Sequence, residues 1–380
     1  MTMRKRPSLL APGPLTIGIT GHDLEGKRGG PGRWVFELCR QLNDVMPEAR
    51  FIIYSRHPVE MPAISERWKN RVDPFPLVGW LKDPLWLVSR VGSLCRHDRP
   101  DVLWSTAPLL PRLGSGIRTI ATVHDLKQSI LSHQISWQGR LFYRLTFEAS
   151  LKSAHAIACL SHGTAQRLLS HYRLKASAVV QAAVSEAFRP ASPEVVRTLL
   201  DNRGIRRPYI LTVASGDKNK NLPALFAAFQ NLGRQGHLTR YTLIVAGKRS
   251  PNVIAGTPRG SEPAIVPIGF VPDEELPALY TGAELFVLPS LYEGFGIPVL
   301  EARSCGTRVL TTDIPELREA GGDNALYCAP TPDGLQTGLL EALKRPRSGI
   351  APDTGYSWNK SARVLAALLR GEQSDAKPLQ

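Results

Sequence analysis

Two glutamates eight residues apart, Glu293 and Glu301, frame a glycine-containing loop. An apolar run at 285–288 has the length of a buried strand, and Pro298 follows where a helix places its first residue. Glycines in front of a helix leave its first backbone N–H groups open to an anion such as phosphate. Carboxylates repel phosphate but accept hydrogen bonds from paired hydroxyls. The pattern therefore favours a ligand with a central phosphate and hydroxylated rings at both ends, and a nucleotide sugar fits that description.

Two lysines lie between a predicted strand and a predicted helix, at Lys218 and Lys220. A lysine in this position can reach a phosphate as a mobile point charge. A solvated polar turn is the alternative interpretation of the same residues.

The first half of the chain offers a histidine, His124, at the end of the predicted strand 118–125, where functional side chains project from parallel sheets. The pair His22–Asp23 occupies an equivalent strand end and is a rival candidate. Gly30 and Gly32 enter a predicted helix and form a second loop that tolerates an anion. A structural histidine and an ordinary turn are the alternatives here.

The stretch EGFGIPVLEA at 293–302 resembles the signature of the retaining glycosyltransferases of family four, which have the GT-B fold. The resemblance implies that Glu293 holds the transferred sugar and that Glu301 takes the ribose hydroxyls. It further implies that the amides of Phe295, Gly296 and Ile297 meet phosphate or sugar.

The same resemblance assigns roles to the other candidates. It places His124 next to the transferred sugar, Lys220 on the diphosphate, and Gly30 and Gly32 towards the donor. Asn219 stands where arginine is usual in the family, which makes Lys218 a possible substitute cation. The resemblance also implies retention at the anomeric carbon and catalysis without a bound metal or other cofactor; no DxD sequence occurs.

The elements that must position these residues alternate between apolar strands and amphipathic helices, which predicts parallel sheets covered on both faces. The pattern runs through the first half, restarts after Phe188, and predicts two Rossmann-like doubly wound domains facing a central cleft. We predict an acceptor-side domain at 1–188 and a nucleotide-sugar domain at 189–345. The resemblance implies that a C-terminal helix within 346–380 packs back on the first domain. The helix that follows the glycine loop is predicted at 299–305.

Charge and composition limit the partners. A net charge of +14 biases the surface towards polyanions, but no nucleic-acid-binding signature is present, so we expect no nucleic-acid partner. Tryptophans and cations in the span 57–98 suit either peripheral contact with a membrane or a helix packed on the sheet. Five cysteines without paired spacing, and no secretory leader, favour the cytoplasm, with membrane contact at its inner face.

We therefore expect a metal-independent hexosyltransferase, mannosyl- or glucosyltransferase-like, that moves a hexose from a nucleotide-diphosphate sugar to a hydroxyl of a glycan or lipid-linked acceptor. Cell-envelope polysaccharide synthesis is the expected setting. Two rivals stay open: a nucleotide- or polyanion-binding module without transfer activity, and a sugar-nucleotide epimerase on the same fold. An epimerase would convert its substrate without any acceptor.

Overall fold

The chain forms two compact units in a computed structural model that describes residues 13–26, 30–75, 82–114, 116–130, 137–214, 216–247, 264–345 and 354–372. Unit 1 contains Met1–Ala182 together with Ser357–Gln380, and unit 2 contains Ala183–Tyr356. Each unit has its own parallel sheet with helices between the strands.

Unit 1 is built on a seven-stranded sheet in the order β3-β2-β1-β4-β5-β6-β7, with every pairing parallel. The strands are β1 Thr16–Thr20, β2 Arg50–Ser55, β3 Trp68–Val72, β4 Val102–Ser105, β5 Arg118–Val123, β6 Ala156–Cys159 and β7 Ala178–Val179. The helices described in this unit before residue 183 are α1 Gly30–Val45, α2 Lys82–Asp98, α3 Lys127–Ile130, α4 Trp137–Ser153 and α5 His162–Tyr172, with a 3-10 turn at His22–Leu24.

Unit 2 has a six-stranded sheet in the order β10-β9-β8-β11-β12-β13, again parallel throughout. The strands are β8 Tyr209–Val213, β9 Thr242–Ala246, β10 Ile265–Gly269, β11 Leu285–Leu288, β12 Val309–Thr312 and β13 Ala325–Cys328. The described helices are α6 Pro193–Asn202, α7 Leu222–Arg234, α8 Leu276–Gly282, α9 Ile297–Ser304, α10 Pro315–Gly321 and α11 Pro332–Lys344, with 3-10 turns at Lys218–Lys220 and Gly322–Asn324.

The predicted doubly wound α/β class is confirmed in both units. The apolar runs became central strands, and β4, β6, β11 and β12 are buried along their whole length. Helix α1 buries Trp34, Leu38 and Leu42, the three residues that the helical period placed on one face. Burial of one apolar face against a sheet supplies most of a helix's stability in a protein.

Two local predictions need correction, and one pair of alternatives is resolved. Strand β3 lies inside the span 57–98, where no strand was predicted, because its sequence WKNRV is charged and sits at the sheet edge. Helix α9 begins at Ile297 and ends at Ser304, so Pro298 is its second residue rather than its first. The tryptophans Trp68 and Trp86 are buried, which places them in the protein interior rather than at a membrane interface; Trp80 lies outside the described residues.

The C-terminal segment Trp358–Arg370 forms a helix, α12, that belongs to unit 1 although it follows unit 2 in the chain. It packs against α1, and a guanidinium nitrogen of Arg370 donates to the carbonyl of Val45 at 3.3 Å. Leu365 and Leu369 lie on its buried face.

Strand order reverses once in each sheet, and these reversals mark where ligands bind in doubly wound folds. In unit 1 the chain runs from β1 outward to β3 and then returns to place β4 on the other side of β1. In unit 2 it runs from β8 to β10 and returns to place β11 beside β8. The loops that leave β8 and β11 are therefore neighbours at the carboxyl edge of the sheet.

Candidate active site

The loop after β8 and the loop after β11 meet through an ion pair between Lys220 and Glu293. Lys220 Nζ lies 2.6 Å from Glu293 Oε1, and the two side chains are only 17% and 11% exposed. Ser290, which is buried two residues after β11, donates its hydroxyl to the same carboxylate oxygen at 2.6 Å. Glu293, the residue predicted to bind the sugar, and Lys220, the residue predicted to bind the diphosphate, are therefore in direct contact.

Asn219 fixes the distance between these loops. Its side-chain amide donates to the carbonyl of Tyr292 at 3.1 Å, and its own carbonyl accepts the amide of Leu291 at 2.8 Å. The Asn219 side chain is buried, and its Oδ1 has no hydrogen-bond partner in the described part of the chain. Because Lys220 is the next residue, the two bonds hold its backbone beside the loop that carries Glu293.

The two lysines of the first loop have different environments. Lys220 is half-buried beside Glu293, whereas Lys218 is exposed at the start of the same 3-10 turn. The structure therefore separates a lysine that is held at the loop from one that reaches into solvent.

The glycine loop ends in a conformation that requires glycine. Gly296 caps α9 with φ 112°, and a Cβ at this position would lie 2.7 Å from Cδ2 of Leu317. Among the described residues, the amides of Phe295, Gly296 and Ile297 donate to no other protein group. These amides stand at the positive end of the α9 dipole, which suits an anionic ligand.

Glu301 lies on α9 and is almost fully buried, which the sequence did not reveal. The hydroxyl of Tyr280 on α8 donates to Glu301 Oε2 at 2.9 Å. A buried carboxylate that already accepts one hydrogen bond has its rotamer fixed, so it presents its acceptor oxygens in a defined direction.

Replacing Glu301 with glutamine is expected to weaken nucleoside diphosphate binding by about 10- to 100-fold, since hydrogen bonds to a charged partner contribute roughly 1.5–3 kcal/mol. Glutamine keeps the volume and an acceptor for Tyr280, so the fold should survive. Calorimetric titration measures the affinity, and Tyr280→Phe is the control that leaves the carboxylate in place. Equal affinity in Glu301→Gln and the wild type would contradict the ribose role.

Unit 1 gathers polar side chains at its own strand-order reversal. The hydroxyl of Thr106, which follows β4, lies 2.9 Å from Asp23 Oδ2, and its amide donates to Thr20 Oγ1 at 2.9 Å. His22 Nε2 lies 3.3 Å from the same Asp23 oxygen. The rival pair His22–Asp23 therefore belongs to one cluster with the residues that follow β4 and β5.

His124 completes this cluster and has a defined tautomer. Its Nε2 lies 2.8 Å from the carbonyl oxygen of Thr106, which can only accept, so Nε2 carries the hydrogen and Nδ1 is an acceptor. Nδ1 is enclosed and has no partner among the described residues. The ring packs edge-on against Trp34, with centroids 5.0 Å apart.

Burial lowers the pKa of His124, and the Asp23 carboxylate and the Thr106 carbonyl only partly offset this effect. The folded protein therefore binds this proton less readily than the unfolded chain, whose histidine titrates near pH ~6.5. The free energy of unfolding should fall as the pH drops below that value, because the unfolded state takes up the proton first.

The measurement is denaturant unfolding between pH 7.5 and 5.5, followed by tryptophan fluorescence. All seven tryptophans belong to unit 1, so the signal reports on that unit. His124→Gln should show a shallower pH dependence than the wild type, whereas His237→Gln, at an exposed position in unit 2, should not. An unchanged slope in His124→Gln would show that this ring does not remain neutral in the fold.

The loop before α1 is described only from Gly30 onward. Gly30 is exposed with open space around it, and Gly32 is buried within the first turn of α1. Helix α1, which both glycines enter, packs against the 3-10 turn that carries His22 and Asp23.

Two family models of known proteins match this chain, each over a different half. The family model described as "Glycosyltransferase Family 4" matches residues 28–187, and the one described as "Glycosyl transferases group 1" matches residues 207–345. The O-antigen chain mannosyltransferase B of Escherichia coli is 30% identical over 63% of this chain and 67% of its own length. The chain belongs to glycosyltransferase family 4. The protein is thus a glycosyltransferase, and its two units are the two domains of the GT-B fold.

Two further similarities bear on this family-4 enzyme. The serotype-specific mannosyltransferase WbdA of Escherichia coli is 32% identical over 65% of this chain, which spans only 32% of WbdA. The solved sucrose-phosphate synthase of Thermosynechococcus elongatus superposes with a TM-score of 0.68 at 18% identity, covering 94% of this chain and 93% of that one. The structural similarity concerns the fold.

Sequence reasoning about this glycosyltransferase missed Ser290 and Thr106. It also missed that Asn219 joins the two loops through hydrogen bonds. Ser290 ends the strand segment LFVLPS, and a hydroxyl at a strand's carboxyl end was a usable signal. Nothing local in the sequence marks Thr106, whose role depends on the neighbouring strand β1.

Proposed function

We propose that this glycosyltransferase moves mannose from a nucleotide-diphosphate mannose to a hydroxyl of a growing envelope polysaccharide. The Lys220–Glu293 pair beside the amides of 295–297 carries the proposal, because it joins a cation for a diphosphate with an acceptor for sugar hydroxyls. Mannose is favoured because the relatives with about 30% identity are named mannosyltransferases.

The proposed reaction breaks the bond between the sugar's anomeric carbon and the diphosphate oxygen and forms a bond from that carbon to the acceptor oxygen. The acceptor attacks from the face that the diphosphate leaves, so the anomeric configuration is retained, and the acceptor's proton passes to the departing diphosphate. Lys220, the α9 dipole and the amides of 295–297 stabilise the charge that develops on the leaving group. Glu293 orients the sugar hydroxyls.

The acceptor is proposed to be a glycan carried on a lipid, reached at the inner face of the membrane. None of the helices within the described ranges is long and apolar enough to cross a bilayer. The net charge of +14 favours contact with anionic headgroups.

The test is slow hydrolysis of nucleotide sugars by the purified full chain without acceptor. Mannose and glucose donors, each with guanosine, uridine and adenosine diphosphate, form the panel. We expect one mannose nucleotide to release free mannose and its nucleoside diphosphate fastest. Release from glucose donors alone would overturn the choice of sugar, isomerisation without release would support an epimerase, and binding without release would support a binding module.

We predict that catalysis does not need a bound divalent metal, since Lys220 and the α9 amides supply the positive field. Rates should be unchanged when EDTA is present throughout the hydrolysis and transfer assays. In the described ranges, no group of three or more His, Cys, Asp or Glu side chains has the spacing to hold a metal ion. Loss of activity in EDTA that magnesium or manganese restores would refute this prediction.

A further inference from the structure

Among the described residues of helix α4, one apolar face is buried in unit 1 and a second is exposed. Phe147 and Leu151 are buried, and Tyr143 stacks on Phe147 with ring centroids 4.4 Å apart. Ser150 on the same face accepts the amide of Leu110 at 2.7 Å. This face holds the helix against the rest of unit 1.

The opposite face exposes a second apolar stripe, defined here by Trp137, Leu141 and Leu145. These residues are 65%, 47% and 64% exposed, and they recur every four positions, so they form one row about 12 Å long. Single exposed leucines are ordinary, but a row of this kind headed by tryptophan is typical of an interaction surface. Past Leu145 the same face becomes polar, with Lys152 Nζ and Glu148 Oε1 2.6 Å apart.

The net charge of the protein lies in the unit that carries this stripe. Of the 47 basic residues, 29 belong to unit 1 and 18 to unit 2, and the 33 acidic residues divide 15 to 18. Unit 1 therefore has the whole net charge of +14, and unit 2 has none. The α4 sequence itself contains Arg140, Arg144 and Lys152 against Glu148.

We propose that the α4 stripe is the surface by which unit 1 binds an anionic phospholipid bilayer. Tryptophan and leucine on one side of a helix, with a basic surround, favour insertion at the depth of the headgroups. The unit's positive charge is complementary to anionic lipid, which attracts it electrostatically. An uncharged partner would not be attracted by the net positive charge of unit 1.

The position of α4 connects this surface with the site in unit 1. It links the parallel neighbours β5 and β6, so it runs antiparallel to them and begins at the carboxyl edge of the sheet. His124 follows β5 at that same edge. The inference deepens the proposed lipid-linked acceptor and rests on it for its biological meaning, but bilayer binding itself requires no substrate.

The experiment is flotation of the full chain with vesicles of phosphatidylcholine, with and without one quarter phosphatidylglycerol, in low and high salt. We expect wild-type protein to float with the anionic vesicles and salt to weaken the binding. Leu141→Gln/Leu145→Gln should lower the partition by about tenfold or more, since two leucines lose their burial in lipid. The matched control is Leu169→Gln, at an exposed leucine on α5 of the same unit, which should float like the wild type.

A second readout covers the case in which the double variant is unstable. Lipids brominated in their acyl chains should quench part of the tryptophan fluorescence, and Trp137→Phe should remove that quenched part. Wild-type protein that ignores anionic vesicles, or variants that bind as well as the wild type, would overturn the proposal. A difference in sedimentation between the double variant and the wild type without lipid would also overturn it. Such a difference would mean that the stripe joins copies of the chain.

Donor hydrolysis separates this inference from the proposed function. The stripe variants should hydrolyse the soluble donor at the wild-type rate. Vesicle binding without any donor turnover would support the membrane-binding surface and refute the transferase site. Donor turnover without vesicle binding would refute the membrane-binding surface and leave the proposed function unaffected.

Discussion

Lys220→Ala should lower the rate of transfer by about 100- to 1,000-fold, the usual effect of removing one group that stabilises charge on a leaving or attacking oxygen. The lysine is half-buried and held by Glu293, so its ammonium is already oriented before the donor arrives. A cation fixed in this way loses little conformational entropy on binding the diphosphate. The loss should therefore appear mainly in kcat rather than in KM.

Lys218→Ala is the matched control for this experiment. Both lysines lie in one 3-10 turn, two residues apart, and carry the same charge, but Lys218 is exposed. We expect Lys218→Ala to change the rate by less than about fivefold, as is usual for an exposed and screened charge. Equal losses in the two variants would mean that the turn acts only through its total charge.

Glu293→Gln should separate catalysis from product binding. Transfer should fall by about 100-fold or more, because the sugar loses a charged acceptor in a partly enclosed site. The affinity for the nucleoside diphosphate alone should rise by about tenfold, which corresponds to roughly 1.4 kcal/mol. The reason is that Lys220 no longer has a carboxylate competing with the phosphates.

The two effects of Glu293→Gln have opposite signs, so loss of folding cannot produce both. Calorimetric titration with the nucleoside diphosphate and a transfer assay measure them on the same preparation. Glu284→Gln is the control: Glu284 also pairs with a cation, Arg308 at 3.2 Å, but it precedes β11 and so lies at the other end of that strand. Weaker product binding in Glu293→Gln would show that the carboxylate does not compete for Lys220.

The strand pattern was predictable because buried parallel strands are continuous apolar runs that stand out from their surroundings. LFVL at β11 is such a run, and its burial is complete. WKNRV at β3 has no such signal: it alternates poorly, it is charged, and only its pairing with β2 makes it a strand. Edge strands depend on their neighbour more than on their own composition.

The candidate site was predictable residue by residue but not as an assembly. Lys220 and Glu293 are 73 positions apart, and only the placement of β11 beside β8 brings them within hydrogen-bonding distance. The burial of Glu301 could not be foreseen, because it depends on Tyr280 from a separate helix. Local spacing identifies which side chains can bind a ligand, whereas the sheet order decides which of them meet.

Helix α12 has a consequence for how the chain is synthesised. Unit 2 is continuous, so every residue it needs has been translated before α12 is translated. Unit 1 needs α12, which packs against α1 and is translated after the whole of unit 2. Although domains generally fold in order from the N-terminus, the second unit of this enzyme can mature before the first. A stop codon just before Ser357 would therefore leave a complete unit 2 joined to an incomplete unit 1.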